Sequence, residues 1–126
     1  MAPAANNLRI VFVMAGSEDE AANIARSLVA ERLAACVNIV GPVRSVYRWR
    51  GAIEDEREYL LVIKTRARLY AGLERRVREM HSYEVPEIIA VAIAQGSKPY
   101  IDWLIESTAS PRPRPTSAGR RRTVPS

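Results

Sequence analysis

The 126-residue chain is 48% hydrophobic and 26% charged, with a formal net charge of +5 and a single cysteine, Cys36. No apolar run approaches the ~20 residues that cross a bilayer, the first seven residues lack the basic and apolar parts of a signal peptide, and one cysteine excludes an internal disulfide, a zinc ribbon or a CxxC redox pair. A soluble, cytoplasmic, single-domain protein without membrane contact is expected.

Residues 1–7 read as a flexible N-terminus. Residues 8–14, Leu-Arg-Ile-Val-Phe-Val-Met, form a continuous apolar run rich in branched side chains, the pattern of a central strand. Ser17-Glu18-Asp19-Glu20 then has the spacing of a capping box, with acids in the first turn where the helix dipole favours them. Ala21, Ile24, Ala25, Leu28 and Val29 recur at helical spacing, which predicts a helix to about Ala34.

Strand chemistry resumes at residues 36–40. Gly41-Pro42 interrupts it, and residues 43–49 continue with branched and aromatic residues alternating with arginines. The proline implies a bend or an edge position. Arg50-Gly51 reads as a turn, and residues 58–65 as a second central strand, so the two runs make a long hairpin. Leu69, Leu73, Val77 and Met80 form one apolar stripe on a second helix whose other face is crowded with arginines and glutamates.

The chain's only histidine lies where that helix should stop, in His81-Ser82-Tyr83-Glu84-Val85-Pro86-Glu87-Ile88. Glu84 and Val85 run into Pro86, and a residue before proline is pushed out of helical geometry. The bend gathers an imidazole, a phenol and two carboxylates, and it is either a binding site or a helix stop with a dipole-favoured histidine. Pro86 opens a last strand over residues 87–94, and Ser97 caps a short helix through Tyr100, Trp103 and Leu104.

The order β-α-β-β-α-β with a C-terminal helix predicts an α+β, ferredoxin-like domain over residues 8–108. Tyr47, Trp49 and Tyr59 sit on a hairpin too long for two helices to cover, so hairpin edges from several subunits are expected to pair. From Ala109 onward five arginines occur with no acid, which leaves 14 basic and 14 acidic residues before it. The basicity therefore belongs to a Pro/Arg-rich tail, residues 109–126, expected to be disordered. Nucleic acid is an expected partner only through that tail, because the 59–64 run lacks the Lys/Arg-Gly-aromatic pattern of RNA-binding sheets of the same strand order.

With one histidine, one cysteine and no phosphate-cradling glycine loop, a nucleophile-base pair is hard to assemble, and no enzyme activity is expected. Cys36, following two alanines, reads as a buried, unreactive thiol. Lys64 ends a central strand and is either a surface lysine or, with Trp49, Glu58, Tyr83 and Glu84, part of an intersubunit cleft for a small anionic or amphipathic ligand.

Five spaced motifs carry a resemblance: residues 31–39 (Glu-Arg-Leu-Ala-Ala-Cys-Val-Asn-Ile), Tyr47-x-Trp49-x-Gly51-x-Ile53, Lys64-Thr65, His81-x-Tyr83-Glu84-Val85-Pro86-Glu87-Ile88 and Tyr100-x-x-Trp103. Over residues 8–107 the chain resembles the CutA divalent-cation tolerance family. The resemblance implies a PII-like homotrimer associated with tolerance of copper and other divalent metals, acting by binding a metal ion or small ligand in an intersubunit cleft, or else as a scaffold for a protein partner.

In some members of that family a cysteine ending the first strand and two histidines ending the second helix are proposed copper ligands. Here Met14, Met80 and His81 occupy those positions. Thioethers and imidazole suit soft Cu(I) better than Zn(II) or Cu(II), and both methionines also fit as core residues. Met14 and His81 are expected at opposite ends of the sheet, so that only a neighbouring subunit could bring them to one ion.

Overall fold

The computed structural model describes residues 7–109; the flexible start expected over residues 1–7 and the basic tail expected over residues 109–126 lie, apart from Asn7 and Ala109, outside the described residues. Eight residues of β1 (Leu8–Ala15) lead into α1 (Glu18–Ala30). The Ser17 side chain accepts from the Glu20 N–H, as the capping spacing predicts. α1 ends four residues before Ala34, because Arg32 takes φ 61° and the Leu33 and Ala34 N–H groups both turn back to the Leu28 carbonyl. Such a left-handed residue closes a helix by occupying carbonyls the next turn would have used.

The hairpin consists of β2 (Cys36–Trp49) and β3 (Ala52–Arg66), joined by the positive-φ pair Arg50 and Gly51. Gly41-Pro42 does not end the strand: the register shifts between Val40 and Val43 and pairing continues to Trp49↔Ala52. The polar stretch before Glu58 is strand as well. A proline can be carried in this way on an edge strand, and β2 is one. α2 (Tyr70–Met80) follows a short 3₁₀ turn, His81 is its C-terminal cap in extended conformation, and β4 (Ile88–Ala92) and α3 (Lys98–Ser107) complete the chain. Ser97 stands at the start of α3 with extended backbone, but its side chain makes no capping bond.

The four strands form one antiparallel sheet in the order β2-β3-β1-β4. The sequence-based element order therefore holds within an α+β fold. Alternation along the central strands sends Val11, Val13, Leu61 and Ile63 to the helix side, where they pack with Ile24, Leu28, Leu73 and Val77, all essentially without solvent exposure. A smaller cluster of Leu8, Ala35, Ile101 and Leu104 anchors α3.

The opposite face carries Ile10, Phe12, Leu60 and Val62, together with Ile89 and Val91, which are 54% and 46% exposed. A sheet this apolar on its open side is unusual for a lone subunit.

Topology also corrects the expected separation of Met14 and His81. β3 runs antiparallel to β1, so the helix that follows β3 returns toward the end at which β1 finishes. His81 therefore reaches the Met14 carbonyl within one subunit, at 2.6 Å.

Candidate functional site

At that end of the sheet, β1, the hairpin and the 81–87 segment enclose a cleft of about 600 Å³. Its position follows from three local devices. Positive φ at Arg50 and Gly51 folds the hairpin tip tightly, placing Trp49 and Arg50 on the rim. After α2 the chain leaves His81 in extended conformation, bends through residues 82–85, and Pro86 disfavours helical geometry at Val85. His81 ties that segment to β1.

The imidazole does this with both nitrogens. Its side chain has no solvent exposure. Nδ1 accepts the Tyr83 N–H at 3.0 Å, so Nε2 carries the proton and donates it to the Met14 carbonyl. Glu20 approaches Nδ1 to 3.5 Å, yet its carboxylate is engaged by the Ser82 N–H at 2.8 Å and hydroxyl at 3.1 Å. Since Nδ1 is an acceptor here, Glu20 serves as a clamp on Ser82 and not as the imidazole's ion-pair partner.

Fixing Ser82 and Tyr83 aims the Tyr83 ring across Gly16. A β-carbon at Gly16 would lie 3.1 Å from the phenol oxygen, so glycine there leaves room for the ring. The Tyr83 hydroxyl donates to Glu58 Oε2 at 2.7 Å. Burial, followed by that hydrogen bond, pushes the phenol well above its ordinary value.

Glu58 is 5% exposed and lies on the cleft wall, and Oε1 has no hydrogen-bond partner among the described residues. Oε1 is not among the fully buried unpartnered atoms, so it meets solvent in the cleft and is open to a ligand there.

Around it stand Met14, Tyr47, Trp49, Arg50, Glu84 and Glu87. Tyr47 donates to Glu56 at 2.7 Å, and that bond pushes its phenol up to about 12. Arg50 is held at 2.6 Å by Glu84 and lies 5.1 Å from the centre of the Trp49 ring. Its charge is thus spent on Glu84. Glu58 and Glu87 remain without a cationic partner among the described residues, and the cleft is negative.

Of the sequence-predicted cleft residues, Trp49, Glu58, Tyr83 and Glu84 are brought together and Lys64 is not. Glu58 and Lys64 share a face of β3, but six residues at ~3.3 Å each separate them by about 20 Å. The Lys64 ammonium instead donates to the Asn38 side chain and lies 3.8 Å from the Cys36 sulfur. Cys36 itself is only half-buried. Tyr47 was singled out only for the hairpin edge, Glu87 only as a carboxylate of the 81–88 bend, and Arg50 only as a turn residue; the Arg50–Glu84 contact spans 34 positions, and no local pattern encodes it.

The proposed copper ligands do converge on this end of the sheet, but in other roles. His81 uses both ring nitrogens in hydrogen bonds, Met80 packs against the hydrophobic core, and Met14 lines the cleft while its carbonyl accepts from His81. Among the described residues no three His, Cys, Asp or Glu side chains lie close enough to hold a metal ion. Within one subunit these residues do not fit a resident copper ion, which needs several donors at about 2 Å.

Residues 9–107 match the model of the CutA1 divalent ion tolerance protein family. The divalent-cation tolerance protein CutA of Thermus thermophilus is 48% identical over 99 residues, 79% of this chain and 96% of that protein. The chloroplastic protein CutA of Arabidopsis thaliana is 44% identical over the same share of this chain but only 54% of its own length, so the chain spans about half of that relative. A solved structure of the Thermus thermophilus divalent cation tolerance protein superposes with a TM-score of 0.79 at 46% identity, covering 81% of this chain and 99% of that one. Sequence, fold and residues 9–107 together place this chain in the CutA1 divalent ion tolerance family.

Proposed function

We propose that this chain is a non-catalytic binding protein of divalent-cation tolerance, working as a homotrimer, whose cleft beside Glu58 takes a positively charged ligand. The observation that carries this reading is Glu58 itself: a carboxylate 5% exposed, on the wall of a cleft, with one neutral hydrogen-bond donor and no cation. Oε2 is held by Tyr83 and Oε1 faces the cleft, so an incoming cation would find a fixed carboxylate oxygen with which to make a charge-assisted hydrogen bond. A small anion, expected when Lys64 was grouped with the cleft, is disfavoured by the two uncompensated carboxylates.

The trimer is supported by the open face of the sheet, where Ile10, Phe12, Leu60 and Val62 adjoin exposed Ile89 and Val91, and by the unpaired outer edge of β2. Sister subunits would cover both and wall the cleft further. A cytoplasmic location is part of the same proposal. No helix among the described residues is long and apolar enough to cross a membrane.

The test is growth in elevated copper of a strain lacking this gene. Restoration by the wild-type gene and failure of Glu58→Gln, with the variant protein present and assembled, is the expected result. Equal restoration by both genes would overturn the cleft as the working site.

A further inference from the structure

We infer that the ligand of the Glu58 cleft is an organic ammonium on an apolar body, not a bare metal ion. This inference rests on the cleft reading above and narrows it to a chemical class. Metal ions require several anionic or imidazole donors converging within about 2–2.5 Å. The cleft offers the opposite arrangement. One carboxylate, Glu58, is buried, while Glu84 is occupied by Arg50 at 2.6 Å, and no group of three metal-ligating side chains forms among the described residues.

The remaining lining fits an ammonium. Tyr47, Trp49 and Tyr83 present aromatic surface, and Met14 adds a polarizable thioether. In the single subunit Tyr47 and Trp49 are 37% and 38% exposed beside the acid, on the strand whose outer edge the proposed sister subunits would cover. The Trp49 ring already accepts one cation, the Arg50 guanidinium, 5.1 Å from its centre.

Glu58 Oε1 has no hydrogen-bond partner among the described residues, whereas Oε2 is fixed by Tyr83. An N–H-bearing cation seated on Oε1 would make a charge-assisted hydrogen bond and place its carbon body against the rings. A volume of about 600 Å³ admits a small amphipathic molecule.

The experiment is a ¹H–¹⁵N NMR titration of the full chain, reading the indole N–H signals of Trp49 and Trp103, the two tryptophans, with Trp103 on α3 as the internal control. Benzylammonium is the cationic probe, benzyl alcohol its neutral counterpart, benzoate the anion, and zinc chloride and copper(II) chloride the metal arms. Saturable shifts of Trp49 with benzylammonium, at least about tenfold weaker with benzyl alcohol and weakened about tenfold by Glu58→Gln, are expected.

Glu87→Gln, at an exposed position without an ion pair among the described residues, gives a second variant and should weaken benzylammonium by a smaller factor. Saturable Trp49 shifts with a metal chloride alone, lost in Glu58→Gln, would overturn the ammonium assignment while leaving the cleft reading intact. No Trp49 response to benzylammonium or either metal would overturn the ammonium assignment, and the growth test then decides the cleft reading by itself. Equal affinity of benzyl alcohol and benzylammonium would show an apolar slot and also overturn it.

Discussion

His81 donates its Nε2 proton to the Met14 carbonyl across 2.6 Å, joining the end of α2 to the end of β1 inside the protein. The same ring accepts the Tyr83 N–H, so one imidazole sets the path of the segment that closes the cleft. Removing it should therefore cost stability and leave copper binding unchanged. His81→Ala leaves the Met14 carbonyl and the Tyr83 N–H unpaired and opens a buried space, for which about 3 kcal/mol of destabilisation is expected. Urea unfolding measures the first effect, and parallel Cu(I) and Cu(II) titrations of the wild type and variant measure the second. A folded variant that loses a stoichiometric copper site would return His81 to the role of a ligand.

Phe12 sits at the middle of the open sheet face, paired with Val62 on one side and Ile89 on the other. Phe12→Asp places a charge where sister subunits are proposed to pack. The expected result in sedimentation velocity is a trimer for the wild type and a monomer, or soluble aggregate, for the variant. A wild-type monomer at micromolar concentration would contradict the assembly.

Tyr83 gives a pH dependence whose sign is fixed. Burial and the bond to Glu58 hold its phenol above the ordinary 10.0. Between the unfolded and folded values the native state keeps a proton that the unfolded chain has lost, so stability falls as pH rises past about 10 and is complete below it. Tyr83→Phe should be less stable at pH 7 by about 1–3 kcal/mol, because Glu58 loses its one donor among the described residues, yet should show a shallower loss between pH 10 and 11. Denaturant unfolding across that range checks both. An unchanged alkaline slope would mean that the phenol is solvated.

Much of the fold was legible in the residues. The branched run of β1 gave a central strand, Ser17 gave a helix start whose Oγ does accept the Glu20 N–H while the Glu20 carboxylate turns to Ser82 instead of closing the box, and the periodicity of Leu73 and Val77 gave the buried face of α2. Trp49, Glu58, Tyr83 and Glu84 were grouped from sequence and do share the cleft. The failures have a common cause. Alternation tells which face a side chain takes but not how far along the strand it lies, which misplaced Lys64. Element order tells that a helix follows a strand but not which way that strand runs, which separated Met14 from His81. Arg50 was missed because its partner, Glu84, is close only after the whole second half has folded.

Beside the exposed Arg50–Glu84 pair, the hairpin and the segment after α2 are joined by the part-buried bond from Tyr83 to Glu58, at 2.7 Å. A double-mutant cycle of Glu58→Gln and Tyr83→Phe, read by urea unfolding at pH 7, measures that contact directly. A coupling of about 1–3 kcal/mol is expected for a partly desolvated hydrogen bond to a carboxylate. Additive effects, within about 0.5 kcal/mol, would mean that the two side chains do not act together and that the cleft is not built as described.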